Sequence, residues 1–60
     1  NAVSFIMVHN HPSGARKPSS ADDRLTEAVK KAAETLDIRL VDHVIVAGNN
    51  YYSYADEGKL

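Results

Sequence analysis

The stretch AVSFIMVHNHPSG, residues 2–14, decides the fold of this chain. Residues 2–9 carry an almost continuous apolar run, which predicts a strand that is covered on both faces. A proline, a serine and a glycine follow within residues 10–18, and they mark a loop because proline cannot donate to a strand ladder and Ser-Gly favours a turn. The sequence therefore predicts a buried strand that ends abruptly in a histidine-containing loop.

Two histidines stand at the end of that strand, separated by one residue. Residues i and i+2 of a strand project to the same face, so His9 and His11 point together while Asn10 points away. The following Pro12 favours an extended backbone at His11, which preserves this alignment. The pair forms half of a metal site, and zinc is the expected ion because imidazole suits it and the chain has no cysteine.

The rest of the chain predicts one helix and two further strands. The apolar residues of the helix recur at helical spacing, and they are Leu25, Ala28, Val29, Ala32, Ala33 and Leu36. The helix is expected to end near Asp37. A second strand is predicted over residues 39–47, a hairpin turn at Gly48-Asn49-Asn50, and a returning strand over residues 51–54. The predicted fold class is α/β, with a helix packed on a three-stranded portion of a sheet.

Composition limits the functional classes. Sixty residues make one small domain at most, and the absence of cysteine excludes disulfides and fits a reducing, cytoplasmic location. A net charge of −1 gives no electrostatic support for binding nucleic acid or an anionic membrane. No apolar run reaches the length of a membrane span, so no membrane partner is expected.

A third metal ligand is predicted from the start of the helix. Ser19 or Ser20 is the expected N-cap. With Ser19 as the cap, Asp22 occupies the third helical position, in a turn that faces back towards the strand end if helix and strand pack together. Two histidines and one aspartate leave a fourth tetrahedral position for water, as in catalytic zinc sites. Each residue alone has an ordinary structural explanation, since Asp22 and Ser19 are also good capping residues. The buried-looking His43 is predicted to be a hydrogen-bonded structural residue rather than a ligand.

The spacing His9-x-His11, Ser19 and Asp22 resembles the JAMM motif of the JAB1/MPN metalloprotease family. The string VHNHPSG, with the later DHVIV and YYS, is similar to the RadC-like bacterial branch of that family. The resemblance implies a JAB1/MPN-like (cytidine-deaminase-like) mixed sheet with a packed helix, seen here as a partial β-α-β-β segment. It also implies that residues 1–60 are the C-terminal part of a single metal-binding domain.

The family resemblance implies roles for individual residues. His9, His11 and Asp22 would bind Zn²⁺, and Ser19 would hydrogen-bond the oxyanion or the attacking water. The family's general base is a glutamate upstream of the first histidine, and no glutamate precedes His9 in this sequence. Neither the acids of the helix nor Glu57 replaces it convincingly, so we expect the fragment alone to bind zinc without catalysing.

Two functional classes follow from these observations. The first is a zinc-dependent hydrolase, in which a metal-bound water attacks an amide or isopeptide bond of a peptide or small amide substrate. The second is a DNA-repair-associated binding or scaffold module of the RadC-like kind, which the charge balance does not support. In either class we expect a further segment of the same domain, or a second copy in a homo-oligomer, to cover the exposed sheet.

Overall fold

The computed structural model describes residues 3–60, so the predicted strand residue Ala2 lies outside the described residues. The elements follow the predicted order. Strand β1 spans Val3–Asn10, helix α1 spans Ser20–Thr35, strand β2 spans Ile38–Ala47 and strand β3 spans Asn50–Ser53. The helix ends where expected, because Leu36 is its C-cap and Asp37 adopts a positive φ of 58°. The predicted α/β class with one helix on a three-stranded mixed sheet is confirmed.

Strand β2 lies in the middle of the sheet, in the order β1-β2-β3. It pairs in parallel with β1 and antiparallel with β3. The parallel register shifts by one residue, because Phe5 pairs with Leu40 whereas Ile6 pairs with Asp42. Val41 is therefore the extra residue of a β-bulge. The bulge turns Leu40 and His43 to the same buried face, although strict alternation would place them on opposite faces.

The predicted hairpin between β2 and β3 is present, but its loop has two residues rather than three, because Asn50 already belongs to β3 and the strand ends at Ser53. Ala47 pairs with Asn50, which leaves Gly48 and Asn49 in the loop. Gly48 has a φ of 59°, and a positive φ at the first loop position is the geometry of a type II′ turn, which favours glycine. The short connection returns the chain directly into β3, and the buried Tyr52 and Tyr54 then pack with Ile45 in the core.

The helix packs on the sheet through a face that overlaps its predicted apolar stripe only in part, because Ala33 belongs to both. The residues of α1 that are buried are Asp22, Thr26 and Ala33. Leu25 and Leu36 are instead 45% and 68% exposed. The prediction for these leucines is wrong because Asp22 and Thr26 form contacts with side chains of the sheet that orient the helix, and a pattern based on hydrophobicity gives these two polar residues no weight.

One face of β1 is also more open than predicted. Ile6 and Val8 are 57% and 71% exposed, whereas Phe5, Met7 and His9 are half-buried on the helix side. The expectation of a strand covered on both faces therefore fails within residues 3–60, because α1 covers only one side of the sheet. No helix in these residues is long and apolar enough to cross a membrane.

Candidate metal centre

Strand β1 and the loop after it position the two histidines. His9 is the next-to-last residue of β1. His11 follows the strand, and its backbone N–H donates to the Val46 carbonyl oxygen at 2.9 Å. The His11 Nδ1 atom lies 2.8 Å from the Ala15 carbonyl oxygen. A carbonyl oxygen only accepts, so Nδ1 carries a ring proton, and in the neutral imidazole Nε2 then presents its lone pair. This hydrogen bond fixes the orientation of the His11 ring and, in its neutral form, the tautomer, as outer hydrogen bonds do for histidines that bind metals.

The start of α1 positions the carboxylate. Ser19 is the N-cap, and its Oγ accepts from the Asp22 backbone N–H at 3.2 Å. In return the Ser19 backbone N–H donates to Asp22 Oδ2 at 2.8 Å, which completes a capping box. Of the two predicted caps the structure has Ser19, and Asp22 accordingly takes the third helical position. Because the box closes over only three residues, the local sequence determines where this carboxylate points.

The three predicted ligand side chains converge at one point. Asp22 Oδ1 lies 3.2 Å from His9 Nδ1, and Asp22 Oδ2 lies 3.0 Å from His11 Nε2. One ligand atom from each residue lies within 4.8 Å of the others. Two atoms that share a tetrahedral zinc ion at about 2.0 Å are about 3.3 Å apart. Each carboxylate contact is close to this separation, with Oδ1 facing His9 and Oδ2 facing His11.

The chemistry of these contacts fits a cation between the residues. His11 Nε2 presents a lone pair to a carboxylate oxygen, and two acceptors 3.0 Å apart repel each other unless a proton or metal ion lies between them. His9 Nδ1 is buried and makes no hydrogen bond to any described residue, because its 3.2 Å approach to Asp22 lacks hydrogen-bond geometry. Buried polar atoms are normally paired, so an unpaired nitrogen facing a carboxylate favours a metal site.

The electrostatics keep the carboxylate ionised. The Ser19 backbone N–H, opposed by burial and assisted by the Ser19 hydroxyl, holds the pKa of Asp22 below its usual range. Asp22 is 5% exposed, so its charge is only weakly screened. An ionised carboxylate and two imidazoles form a donor set that suits Zn²⁺.

A second layer of side chains lies beneath these residues, and the sequence alone did not reveal its connection to the site. Thr26 Oγ1 donates to the Asp22 backbone carbonyl at 2.8 Å and lies 2.6 Å from His43 Nδ1. His43 is fully buried, and burial lowers its pKa below the ordinary imidazole range. It is a hydrogen-bonded structural residue, as predicted. The i, i+4 spacing of Asp22 and Thr26 was the available signal for the missed threonine.

The buried tyrosine at the end of β3 extends this layer. The Tyr54 ring stacks on His43 with centroids 4.8 Å apart, and its hydroxyl donates to Asp23 at 2.8 Å. Burial, with this hydrogen bond, raises the pKa of Tyr54 to about 12. Tyr52 packs edge-on against Tyr54 at 5.4 Å, and both are buried, so these two tyrosines are packing residues.

The fold and the site together define an α/β domain with two histidines at a strand end and an aspartate in the first turn of the following helix. The family model of the RadC-like JAB domain matches residues 1–59. The chain therefore belongs to the RadC-like JAB domain family, and the resemblance seen in the sequence is confirmed.

Similar proteins carry the name UPF0758 protein. The chain is 52% identical over 60 residues to the UPF0758 protein of Herminiimonas arsenicoxydans, covering 100% of this chain and 27% of that protein. It is 54% identical over 59 residues to the protein of Streptococcus gordonii, covering 98% of this chain and 26% of that protein. The relative from Flavobacterium johnsoniae is 47% identical over 57 residues, or 95% and 25% of the two chains. The chain thus spans about a quarter of the length of these curated relatives.

Proposed function

We propose that this chain forms the metal-binding part of a zinc-dependent hydrolase of the JAMM type that cleaves an amide or isopeptide bond. The observation that carries the proposal is the convergence of His9, His11 and Asp22, whose ligand atoms lie within 4.8 Å of one another. Membership of the RadC-like JAB domain family supports it, because JAB domains are often zinc-dependent hydrolases. When bound, zinc acidifies a water molecule and polarises a carbonyl group.

The residues of the site have separate roles in this proposal. His9 Nδ1 and His11 Nε2 hold the ion with the Asp22 carboxylate, and the Ala15 carbonyl keeps His11 in the required tautomer. The capping box keeps Asp22 ionised and directed at the histidines. Three protein ligands are the number that catalytic zinc sites use, with one position left for the reacting oxygen.

Ser19 has a further proposed role in the reaction. Its Oγ accepts from the Asp22 backbone N–H, and its hydroxyl proton, which also stabilises the Asp22 carboxylate, can rotate towards a substrate oxygen. We propose that this proton is donated to the oxyanion that develops on the substrate carbonyl, or to the attacking water. Hydrogen-bond donors directed at such an oxygen commonly contribute about 10²–10³ in rate.

The general base is not assigned to a residue of this chain. The acids Glu27, Glu34 and Glu57 are exposed, and none belongs to the three-residue metal group. The family resemblance places a glutamate before the first histidine, and none precedes His9 in the printed sequence. We therefore propose that residues 1–60 alone bind zinc without hydrolysing the substrate.

The decisive experiment measures zinc binding and hydrolysis in the protein at its full natural length. We expect one zinc ion per chain by competition with a chromophoric chelator, and release of amine from a panel of peptide and isopeptide substrates. His9→Ala should abolish both, whereas Asn10→Ala, an exposed neighbour on the opposite face of β1, should abolish neither. Failure of the unaltered protein to bind zinc would refute the proposal.

The same preparations test the DNA-binding alternative. Salt-dependent binding of a DNA duplex that is unaffected by a chelator and by His9→Ala would favour a binding module without catalysis. The net charge of −1 gives no reason to expect such binding.

A further inference from the structure

A chain of buried hydrogen bonds connects the middle strand of the sheet to the backbone of the metal ligand Asp22. The Thr26 hydroxyl donates to the Asp22 carbonyl at 2.8 Å, and His43 Nδ1 lies 2.6 Å from the same hydroxyl oxygen. Thr26 and His43 are 4% and 0% exposed. Water therefore does not compete for these hydrogen bonds, and each one restrains its partners strongly.

The single hydroxyl proton of Thr26 determines the tautomer of the histidine. Because that proton is donated to the Asp22 carbonyl, the hydroxyl oxygen is an acceptor towards His43, and Nδ1 of His43 carries the ring proton. The direction of donation thus runs from β2 through Thr26 to the first turn of α1. This arrangement ties the helix start to the sheet at the turn that carries the carboxylate.

Stacking with neighbouring rings also restrains the orientation of the His43 ring plane. Tyr54 stacks on one side of it, with centroids 4.8 Å apart and planes inclined by 5°. The ring of the metal ligand His9 lies on a nearly parallel plane, inclined by 8° with centroids 6.0 Å apart. The buried His43 is therefore linked to two of the proposed ligands. Its ring lies parallel to the ring of His9, and its Nδ1 is connected to Asp22 through the Thr26 hydroxyl.

We propose that Thr26 and His43 are positioning residues that set the separation between the Asp22 carboxylate and the two histidine ligands. This inference rests on the proposed metal function and deepens it. Neither residue touches the ion or the substrate. Each restrains a ligand residue on the side away from the proposed ion, in the way that outer residues of metal sites orient the residues that bind the ion.

The sharpest variant is Thr26→Val, which keeps the shape of the side chain and removes the hydroxyl. The Asp22 carbonyl then loses the hydrogen bond that the hydroxyl donates to it, and His43 Nδ1–H becomes a buried donor without a partner. We expect the start of α1 or the His43 ring to move in response. We expect the Kd for Zn²⁺ to rise by at least about tenfold, as is typical when such outer residues are replaced. Thr26→Ser keeps the hydroxyl and should restore the affinity of the unaltered protein.

A matched control lies on the same helix. Thr35 makes the same kind of hydrogen bond, donating to the Lys31 carbonyl four residues earlier at 3.1 Å, but at the opposite end of α1. Thr35→Val should therefore leave the Kd for Zn²⁺ unchanged. All four proteins are compared at full natural length, by zinc competition and by chemical unfolding without metal. A Thr26→Val protein that is less stable but binds zinc with unchanged affinity would overturn the inference, because Thr26 would then have only a structural role.

A measurement without metal separates this inference from the proposed function. Long-range proton–nitrogen NMR spectra of the metal-free protein should show His43 in the Nδ1–H tautomer. The ring signals of His9 should shift in Thr26→Val and stay in place in Thr26→Ser. If the unaltered protein binds no zinc, the proposed function fails, and these spectra still decide the positioning role. An Nε2–H tautomer of His43, or unchanged His9 signals in Thr26→Val, would refute that role.

Discussion

Replacing Asp22 by Asn separates the metal-binding role of this side chain from its role in capping the helix. The amide has nearly the same shape as the carboxylate, and the structure determines how it is oriented. The Ser19 backbone N–H donates to Oδ2, so the amide oxygen must occupy that position. The amide nitrogen then occupies the Oδ1 position, 3.2 Å from the unpaired Nδ1 of His9, and donates to it after a small rotation of the His9 ring.

The two effects on the metal-free protein are of similar size and opposite sign. Loss of the negative charge weakens the hydrogen bond from Ser19 and the interaction with the helix N-terminus, which costs about 1–2 kcal/mol. The new hydrogen bond to His9 contributes about 0.5–1.5 kcal/mol and replaces the contact between Oδ1 and Nδ1, whereas the amide oxygen still faces His11 Nε2. We therefore expect the free energy of unfolding of metal-free Asp22→Asn to lie within about 1 kcal/mol of the unaltered protein at pH 8.

Zinc should distinguish the two proteins clearly. An ion that binds only the folded state at 100 times its Kd stabilises that state by about 2.7 kcal/mol. The unaltered protein should gain this amount, whereas Asp22→Asn should gain almost nothing because the anionic ligand is gone. Asp23→Asn is the matched control, since Asp23 is an exposed acid of the same helical turn that bonds Tyr54 and lies outside the metal group.

The assay is urea unfolding of each protein with a chelator and with excess Zn²⁺, followed by circular dichroism. The result that would refute the reasoning is a zinc-induced stabilisation of Asp22→Asn equal to that of the unaltered protein. A loss of several kcal/mol in metal-free Asp22→Asn would refute the predicted orientation of the amide instead.

Three further substitutions test other parts of the structure. Ser19→Ala removes the N-cap acceptor and should lower the free energy of unfolding by about 1 kcal/mol. The Kd for Zn²⁺ should stay unchanged, because the Ser19 backbone N–H still donates to Asp22. A loss of zinc-binding free energy as large as the loss of stability would contradict this prediction. Asp42→Asn should remove a pH dependence of stability: burial opposes ionisation of Asp42, but hydrogen bonds from Ser53 and two backbone N–H groups outweigh it and lower its pKa. The stability from that carboxylate is complete above its unfolded pKa of about 3.9 and lost as the pH falls through the lower folded value, so urea titrations of the two proteins should differ at pH 7 and converge in acid. Ile45→Ala leaves a cavity at a fully buried position and should lower the free energy of unfolding in urea by about 2–5 kcal/mol. A decrease below about 1 kcal/mol would mean that this core is not closely packed.

Local features of the chain were predicted well because short-range interactions produce them. The Ser19–Asp22 capping box closes within three residues, and the Gly48-Asn49 turn depends on the backbone freedom of one glycine. Likewise, the single-residue spacing of His9 and His11 places both rings on one side of β1. These features needed no knowledge of the rest of the fold, and they include all three predicted metal ligands.

The sequence by itself thus determined the order of the elements and the identity of the residues that meet at the candidate site. Only the tertiary structure decided which face of α1 is buried and that β2 contains a bulge at Val41. The physical reason is that both depend on contacts between residues far apart in the chain. The bulge places His43 under the site, where it meets Thr26 on the helix, and hydrophobic periodicity carries no information about a hydrogen bond between two buried polar residues 17 positions apart.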